Sequence, residues 1–376
     1  MARYRIAVLP GDGIGKDVMD AAILVLKDIG LDAEYVYGDV GWEFWRHEGN
    51  PLPDRTLTLL RNTDACLFGA ITSKPKEEAA RELDPGLRDK GFIYFSPIVR
   101  IRQELDLYTN LRPCRAYIGN PLNYRDDIDL VIFRENTEDL YSGVEFFPVP
   151  AELDDWLNAA HPKYRRFHDL PADHKAISLR INTLEASEAI IRAAFDFARA
   201  NNRKSVTIVE KPNVVRETSG LMVRTARRVA KEFPNIELWE ANIDAMAMWL
   251  VKNPQDYDVL VSSNLFGDII SDLAAQLVGG LGFSPSGNIG KKQALFEPTH
   301  GSAPKYAGQN KVNPTAMILA AKMMLEYLGE AGLARDIEYG VAQTIKEGRV
   351  RTYDMGGAST TTDIARRIIH WARENK

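Results

Sequence analysis

The chain has 376 residues, 45% hydrophobic and 26% charged, with a formal net charge of -5. That length is long for one core and predicts two domains or one split domain. The acidic balance excludes a nucleic-acid binder, which needs a basic face to release counterions, and no apolar run approaches membrane-spanning length.

Tyr4 to Pro10 (YRIAVLP) reads as a strand, Gly11-Asp12-Gly13-Ile14-Gly15 as a tight turn, and 16–29 as an amphipathic helix. The chain enters this strand within a few residues of Met1, so no signal peptide is read and a cytoplasmic protein is expected. With a second strand at 31–37 this is the opening of an α/β unit on a parallel sheet. The spacing is G-x-G-x-G, not the dinucleotide fingerprint G-x-G-x-x-G, so the glycines are assigned to the turn itself. A third strand, 64–70 (DACLFGA), holds Cys66 as a small buried hydrophobe. It and Cys114 fit a reducing compartment.

Residues 92–102 lead into a helix, 106–113 (DLYTNLRP) follow, and 130–134 (LVIFR) form a strand. Arg102, Arg112 and Arg134 stand at element edges, where arginines can converge as carboxylate clamps. Singly, each reads as a surface charge. Residues 147–174 carry prolines, basic residues and Trp156 with no clean period, an excursion that suits an inter-subunit arm. A short strand (176–181), a strong amphipathic helix (184–201) and a strand (205–209) come next. Lys211, directly after that strand, reads either as a base or as a surface lysine with a buried stem. A helix, a strand at 236–239 and Asp244 follow.

The stretch 259–290 opens with an apolar run and turns at Ser-Ser-Asn. Asp268 and Asp272 then sit at i and i+4, on one helix face. Like charges there repel, and a hard divalent cation reverses the sign. The segment around them is almost wholly apolar, so the two carboxylates need a partner. In the last quarter, 295–308 (LFEPTHGSAPKYAG) is too polar for a core strand and too ordered for a linker. Asn313-Pro314 opens a helix, and two more helical stretches flank Thr352-Tyr353-Asp354.

GDGIG at Gly11, LDLYTNLRP at Leu105, RENTEDLY at Arg134, the segment at Lys211, GDIISD at Gly267 and HGSAPKYAGQNKVNP at His300 together resemble the decarboxylating β-hydroxyacid dehydrogenases. That family comprises the isocitrate, homoisocitrate and 3-isopropylmalate dehydrogenases. The resemblance covers nearly the whole chain and looks most like an NADP-dependent isocitrate dehydrogenase. It implies an α/β fold of the isocitrate/isopropylmalate dehydrogenase type, not a Rossmann fold. Residues 1–107 and 279–376 would form a large discontinuous domain, 108–138 and 184–278 a smaller one, and 139–183 a clasp pairing with a second subunit. The implied assembly is a homodimer whose active sites are shared.

The implied chemistry oxidises a 2-hydroxy acid at C2, releases CO₂ from the β-keto acid and protonates the resulting enolate. Mg²⁺ or Mn²⁺ would serve as Lewis acid. Asp268 and Asp272 match the family's metal ligands in one subunit, and Asp244 the third, from the partner. Arg102, Arg112 and Arg134 match the substrate clamp, Lys211 the group that takes the hydroxyl proton, and Tyr141 the acid that protonates the enolate. Asn213 is expected nearby as a polar orienter. The cofactor is expected on 300–313: His300 and Asn313 match adenine contacts, Gly301 lets the backbone approach, and Thr72 matches a contact near the nicotinamide ribose. Lys305-Tyr306 matches the NADP users, since an ammonium attracts the 2′-phosphate that a carboxylate repels. Tyr353 matches another phosphate contact, while Gly357 stands where many NADP relatives have arginine. NADP is the expectation and NAD the alternative.

Substrate choice divides the motifs. Ser96 stands where isocitrate enzymes bind the γ-carboxylate, but Ile98 replaces their asparagine, and Phe95, Ile98 and Val99 make that side apolar, as in isopropylmalate enzymes. RENTEDLYSGVE, the long clasp and Lys305-Tyr306 look like isocitrate dehydrogenase. Isocitrate is therefore expected first and other 3-substituted malates second. Arg100 is either an inward carboxylate ligand or a solvated helix residue. One rival, a non-catalytic regulatory subunit, typically lacks some of Lys211, Tyr141, Asp244, Asp268 and Asp272, all present here. The other, a Rossmann dehydrogenase using Asp32 or Glu34 for ribose, would need no metal.

Overall fold

Ten strands share one sheet in the computed structural model, which describes residues 2–375. In chain order the strands are β1 (Tyr4–Gly11), β2 (Ala33–Tyr37), β3 (Ala65–Ala70), β4 (Thr109–Arg115), β5 (Asp129–Glu135), β6 (Glu145–Phe146), β7 (Ile177–Ser178), β8 (Ser205–Glu210), β9 (Glu237–Asn242), β10 (Val259–Ser262), β11 (Pro285–Ile289) and β12 (Ala294–Pro298). The sheet runs β2-β1-β3-β12-β11-β4-β5-β10-β8-β9, while β6 and β7 pair separately. Its two outer blocks, β2-β1-β3-β12 and β5-β10-β8-β9, are parallel within themselves. Antiparallel pairings of β11 with β12 and β4, and of β4 with β5, join them. Every residue of β3, β8 and β10 is buried, as continuous apolar runs require when helices cover both faces.

The core divides along the same seam. One cluster packs the helices Gly15–Asp28, Thr315–Tyr327 and Thr361–Glu374 against β1, β3 and β12. A second packs Leu184–Ala200 and Thr218–Ala230 against β5, β8 and β10. Where the blocks meet, the period-2 alternation of β4 and β5 sends Leu111 and Phe133 into those cores. It turns Asn110, Arg112 and Arg134 to the other face.

The GDGIG turn is structural. The Asp12 carboxylate accepts the backbone N–H of Trp42 (2.7 Å) and of Thr72 (2.8 Å), tying three loops together. Gly13 adopts φ +53°, and a Cβ there would lie 2.1 Å from the Ser302 carbonyl oxygen, so no other residue fits. The excursion at 147–174 contains an ordered helix, Ala151–Ala160, that buries none of its residues. Phe147 and Trp156 are 70% and 64% exposed. Among the described residues, no helix is long and apolar enough to cross a membrane.

Candidate active site

Eight of the sequence-predicted residues line one cleft: Ser96, Arg102, Arg112, Arg134, Tyr141, Asp268, His300 and Gly301. The helix Asn264–Leu277 presents Asp268 and Asp272 one turn apart. Asp268 is half-buried, whereas Asp272 is 58% exposed and lies outside the cleft's lining, so the apolar setting read from the sequence holds for the first acid and not the second; both meet a pair of buried arginines. Arg112 donates from Nη1 to Asp272 Oδ1 (2.9 Å) and Ser271 Oγ (2.6 Å), and from Nη2 to Asp268 Oδ1 (3.4 Å). Arg134 donates to Asp268 Oδ1 and, from Nε, to Asn264 Oδ1 (2.9 Å). Its guanidinium carbon stands 4.9 Å from the centre of the Tyr141 ring, and the Tyr141 hydroxyl donates to Asp268 Oδ2 at 2.5 Å. Gly267 makes this approach possible: a Cβ there would fall 2.7 Å from Arg134 Cγ.

Arg102 is held from beneath. Its Nε donates to Asn288 Oδ1 (2.9 Å) and its Nη2 to Glu297 Oε1 (3.0 Å). The Asn288 carbonyl also accepts from Asn110 Nδ2 (2.9 Å) and Asn136 Nδ2 (3.0 Å), while its amide donates to Glu297 (2.7 Å). Asn110 Oδ1 in turn accepts from Arg112 Nε at 3.0 Å. These buried polar groups were not singled out in the sequence, although Asn110 and Asn136 lie inside the quoted motifs beside clamp arginines.

The electrostatics follow from burial and crowding. Arg134 is pushed down to about 10 by burial, with Arg112 and Arg102 adding repulsion. Burial pushes Asp268 up, but the Arg134 and Arg112 charges and the Tyr141 hydrogen bond outweigh it and hold the carboxyl low. Asp272, though 58% exposed, is raised by partial desolvation and by the neighbouring Asp268 charge, which Arg112 only partly offsets. Tyr141 is raised by burial and by its bond to Asp268, so the phenol keeps its proton.

Lys211, Asn213 and Asp244 are absent from this cleft's lining. Lys211 Nζ donates to Asp244 Oδ1 at 2.5 Å, and that bond lowers the acid. Asn213 is exposed in the turn after Lys211. The three predicted metal acids are thus not gathered within one chain, and among the described residues no group of three His, Cys, Asp or Glu is placed to hold a metal. Val214, beside Lys211, and Met248, one turn beyond Asp244, are 69% and 54% exposed.

The segment assigned to the cofactor borders the cleft. Nδ1 of His300 donates to the Gly301 carbonyl (3.1 Å), and its Nε2, an acceptor in that tautomer, is buried without a partner. Burial holds the ring below its usual pKa. Thr72 Oγ1 pairs with Ser302 Oγ at 2.7 Å, fastening this loop to the end of β3, and its neighbours Ile71 and Ser73 line the cleft. Asn313 is buried with its side chain engaged at both ends, by Asp354 (3.0 Å) and Thr315 (2.6 Å), which leaves its backbone for any adenine contact.

Tyr306 and Tyr353 pack with ring centres 5.3 Å apart and planes tilted by 41°. Lys305 Nζ lies 4.8 Å from the Tyr306 ring, and Lys311 Nζ lies 5.0 Å from Tyr353 and 5.6 Å from Tyr306. Lys311 was missed in the sequence, since its position in AGQNKVNP gives no period or motif of its own. At Gly357 a Cβ would lie 2.1 Å from the Arg351 carbonyl oxygen, so no arginine fits there. Arg100 turns away from the cleft, its guanidinium carbon 5.1 Å from the Phe95 ring and its Nη2 3.4 Å from Asp54.

A model of the family described as isocitrate/isopropylmalate dehydrogenase matches residues 5–368. Protein DlpA of Legionella pneumophila is 41% identical over 99% of this chain, which spans 59% of DlpA's length. A 3-isopropylmalate dehydrogenase of Archaeoglobus fulgidus is 43% identical over 97% of this chain and 98% of its own. The crystal structure of isocitrate dehydrogenase from Methylococcus capsulatus superimposes with a TM-score of 0.85 at 40% identity, covering 98% of this chain and 99% of that one.

Proposed function

The chain belongs to the isocitrate/isopropylmalate dehydrogenase family and is an NAD(P)-dependent decarboxylating dehydrogenase; we propose that it converts isocitrate to 2-oxoglutarate with NADP, as a homodimer that shares its clefts. The observation that carries the reading is a single cleft lined by Arg102, Arg112 and Arg134 together with Tyr141 and Asp268. Three guanidiniums in a low-dielectric cleft favour a small polyanion and fix its carboxylates by bidentate geometry. Asp268 and Asp272, with Asp244 of a second protomer, are hard oxygen donors suited to Mg²⁺ or Mn²⁺. When bound, that cation supplies Lewis-acid polarisation and the nicotinamide the hydride acceptor.

The chain's own groups do the rest. The arginines bind and orient the substrate carboxylates. Lys211 takes the hydroxyl proton. Tyr141, kept protonated by burial, delivers a proton to the enolate carbon. Lys211 and Asp244 lie outside this protomer's cleft and beside exposed Val214 and Met248, which supports their donation to the partner. A purely regulatory subunit would have no use for this intact set. We assign the γ-carboxylate to Ser96 and the first turn of the helix Pro97–Glu104. Ser96 makes no side-chain cap there, and the amides of Ile98 and Val99 have no intrahelical acceptor.

The 2′-phosphate is assigned to Lys305, Tyr306, Tyr353 and Lys311, where the second lysine restores the charge that Gly357 lacks. The two-domain division at 107/108 and 278/279, with the clasp at 139–183, is kept as part of this reading. A second reading, an apolar 3-substituent as in 3-isopropylmalate, is favoured by Ile98 and Val99 in the lining and by the outward Arg100. Rates with isocitrate, homoisocitrate, 3-isopropylmalate, malate and tartrate separate the two. Isocitrate should give the highest kcat/KM, and a preference for 3-isopropylmalate overturns the first reading.

A further inference from the structure

Behind the cleft lies a second buried ionic cluster. Arg180, just past β7 in the clasp, donates from Nε to Asp139 Oδ1 (2.7 Å) and from Nη2 to Ser263 Oγ (2.6 Å) and Glu210 Oε2 (3.3 Å). Its Nη1 reaches Ser219 Oγ at 3.2 Å. The Asp139 and Glu210 side chains are 0% exposed and Arg180 is 13% exposed, so one guanidinium bridges two carboxylates away from water, and backbone amides and serine hydroxyls stabilise the remaining negative charge. A bare buried charge is strongly unfavourable, which makes the three groups hold one another in place.

Each carboxylate belongs to a different part of the proposed machinery. Asp139 caps the turn Leu140–Ser142 that carries Tyr141, accepting the Leu140 N–H at 2.8 Å. Its other oxygen accepts the Leu265 N–H (3.1 Å) at the start of the helix bearing Asp268 and Asp272. To do so it holds φ +68°, ψ -147°, a backbone region that favours glycine and persists only under outside constraint. Glu210 immediately precedes Lys211. It accepts the Ser263 N–H (2.9 Å) and the Ser219 hydroxyl (2.5 Å), and Ser219 Oγ accepts the Lys211 N–H at 3.3 Å.

We propose that Arg180 is a positioning residue that locks two half-sites together: Tyr141 and Asp268 of its own cleft, and the Lys211–Asp244 arm given to the partner's cleft. A shift at one carboxylate moves the guanidinium and therefore the other arm, so the two active sites of a dimer are mechanically joined through each clasp. The inference rests on the shared-site reading above.

The test separates the two. Differently tagged Lys211→Ala and Asp268→Asn chains are co-expressed and the mixed dimer purified. On the shared-site reading the hybrid has one competent cleft, with Asp268 from one chain and Lys211 from the other. An inactive hybrid overturns that reading and this proposal with it. In an active hybrid, Arg180→Lys, which keeps a charge between the acids but loses the fork, is introduced into either chain alone, with Arg180→Met as the harsher variant where it folds. Ångström-scale misplacement costs about a hundredfold. Arg180→Lys should therefore lower kcat about tenfold or more from either chain, with KM for the hydroxy acid within about twofold because the three clamp arginines are untouched. Loss from only one chain, loss from neither, or a raised KM at unchanged kcat overturns the proposal.

Discussion

Replacing Lys311 with alanine probes the cofactor assignment where it depends on a residue the motifs did not flag. Its Nζ is 5.0 Å from the Tyr353 ring and 5.6 Å from Tyr306, whose ring Lys305 approaches to 4.8 Å from its own position. A phosphate seated among these groups would lie on the order of 5 Å from each ammonium. Both lysines are solvated, so the water-like limit applies: about 0.8 kcal/mol per unit charge pair at that separation. A phosphate charge of about -1.5 to -2 raises this to roughly 1.2–1.7 kcal/mol. Lys311→Ala should therefore lower kcat/KM for NADP about tenfold and leave NAD unchanged, as read from steady-state rates with each cofactor. Because the interaction is exposed, the loss should shrink as salt is raised. An equal loss with both cofactors would place Lys311 in general cofactor binding, and no loss would remove it from the site; either refutes the electrostatic argument.

Asn288→Leu leaves Arg102, Asn110 and Asn136 each short of an acceptor, and should cost about 3 kcal/mol in urea unfolding, with an unchanged midpoint counting against the network. Gly267→Ala puts a methyl 2.7 Å from Arg134 Cγ, so it should raise KM for the hydroxy acid more than its about 1–3 kcal/mol overpacking cost lowers thermal stability. His300 has a depressed folded pKa, so the unfolded chain takes up its proton first, near pH 6.5; stability should fall as pH drops below that value and level off below the folded pKa. His300→Gln should flatten this decline in denaturation midpoints measured across the acid range, and an unaltered slope counts against it. Tyr141→Phe deletes the hydroxyl bound to Asp268 and should lower kcat about 10²-fold or more with little change in substrate KM.

The parallel blocks were legible because their strands are dense apolar runs: 4–10, 64–70 and 205–209 needed only hydrophobic pattern. The antiparallel seam was not, because β4 alternates charged, polar and proline residues and its pairing with β11 spans more than 170 positions. Of the site, Asp268 announced its need for a partner by its apolar setting, whereas Asp272, read the same way, is 58% exposed. Which partner answered depended on β4 and β5 lying side by side, and local sequence does not encode that. Asn288, near the end of the stretch 259–290, and Glu297, three residues before His300, gain meaning only when Arg102 arrives from a distant helix. The same holds for Arg180, an ordinary clasp residue until Asp139 and Glu210 close on it. Arg100 went the other way: a helix residue with Asp54, Glu104 and Phe95 in reach has no need of the cleft.

Metal-dependent oxidative decarboxylation by the arginine-lined cleft is tested most directly by turnover of isocitrate with NADP and Mn²⁺, following reduced cofactor and released CO₂ together, before and after chelation. The two products should appear in equal amounts, cease with chelator and return when Mn²⁺ is restored. Turnover that persists after divalent cations are stripped, or reduced cofactor formed without CO₂, would contradict it.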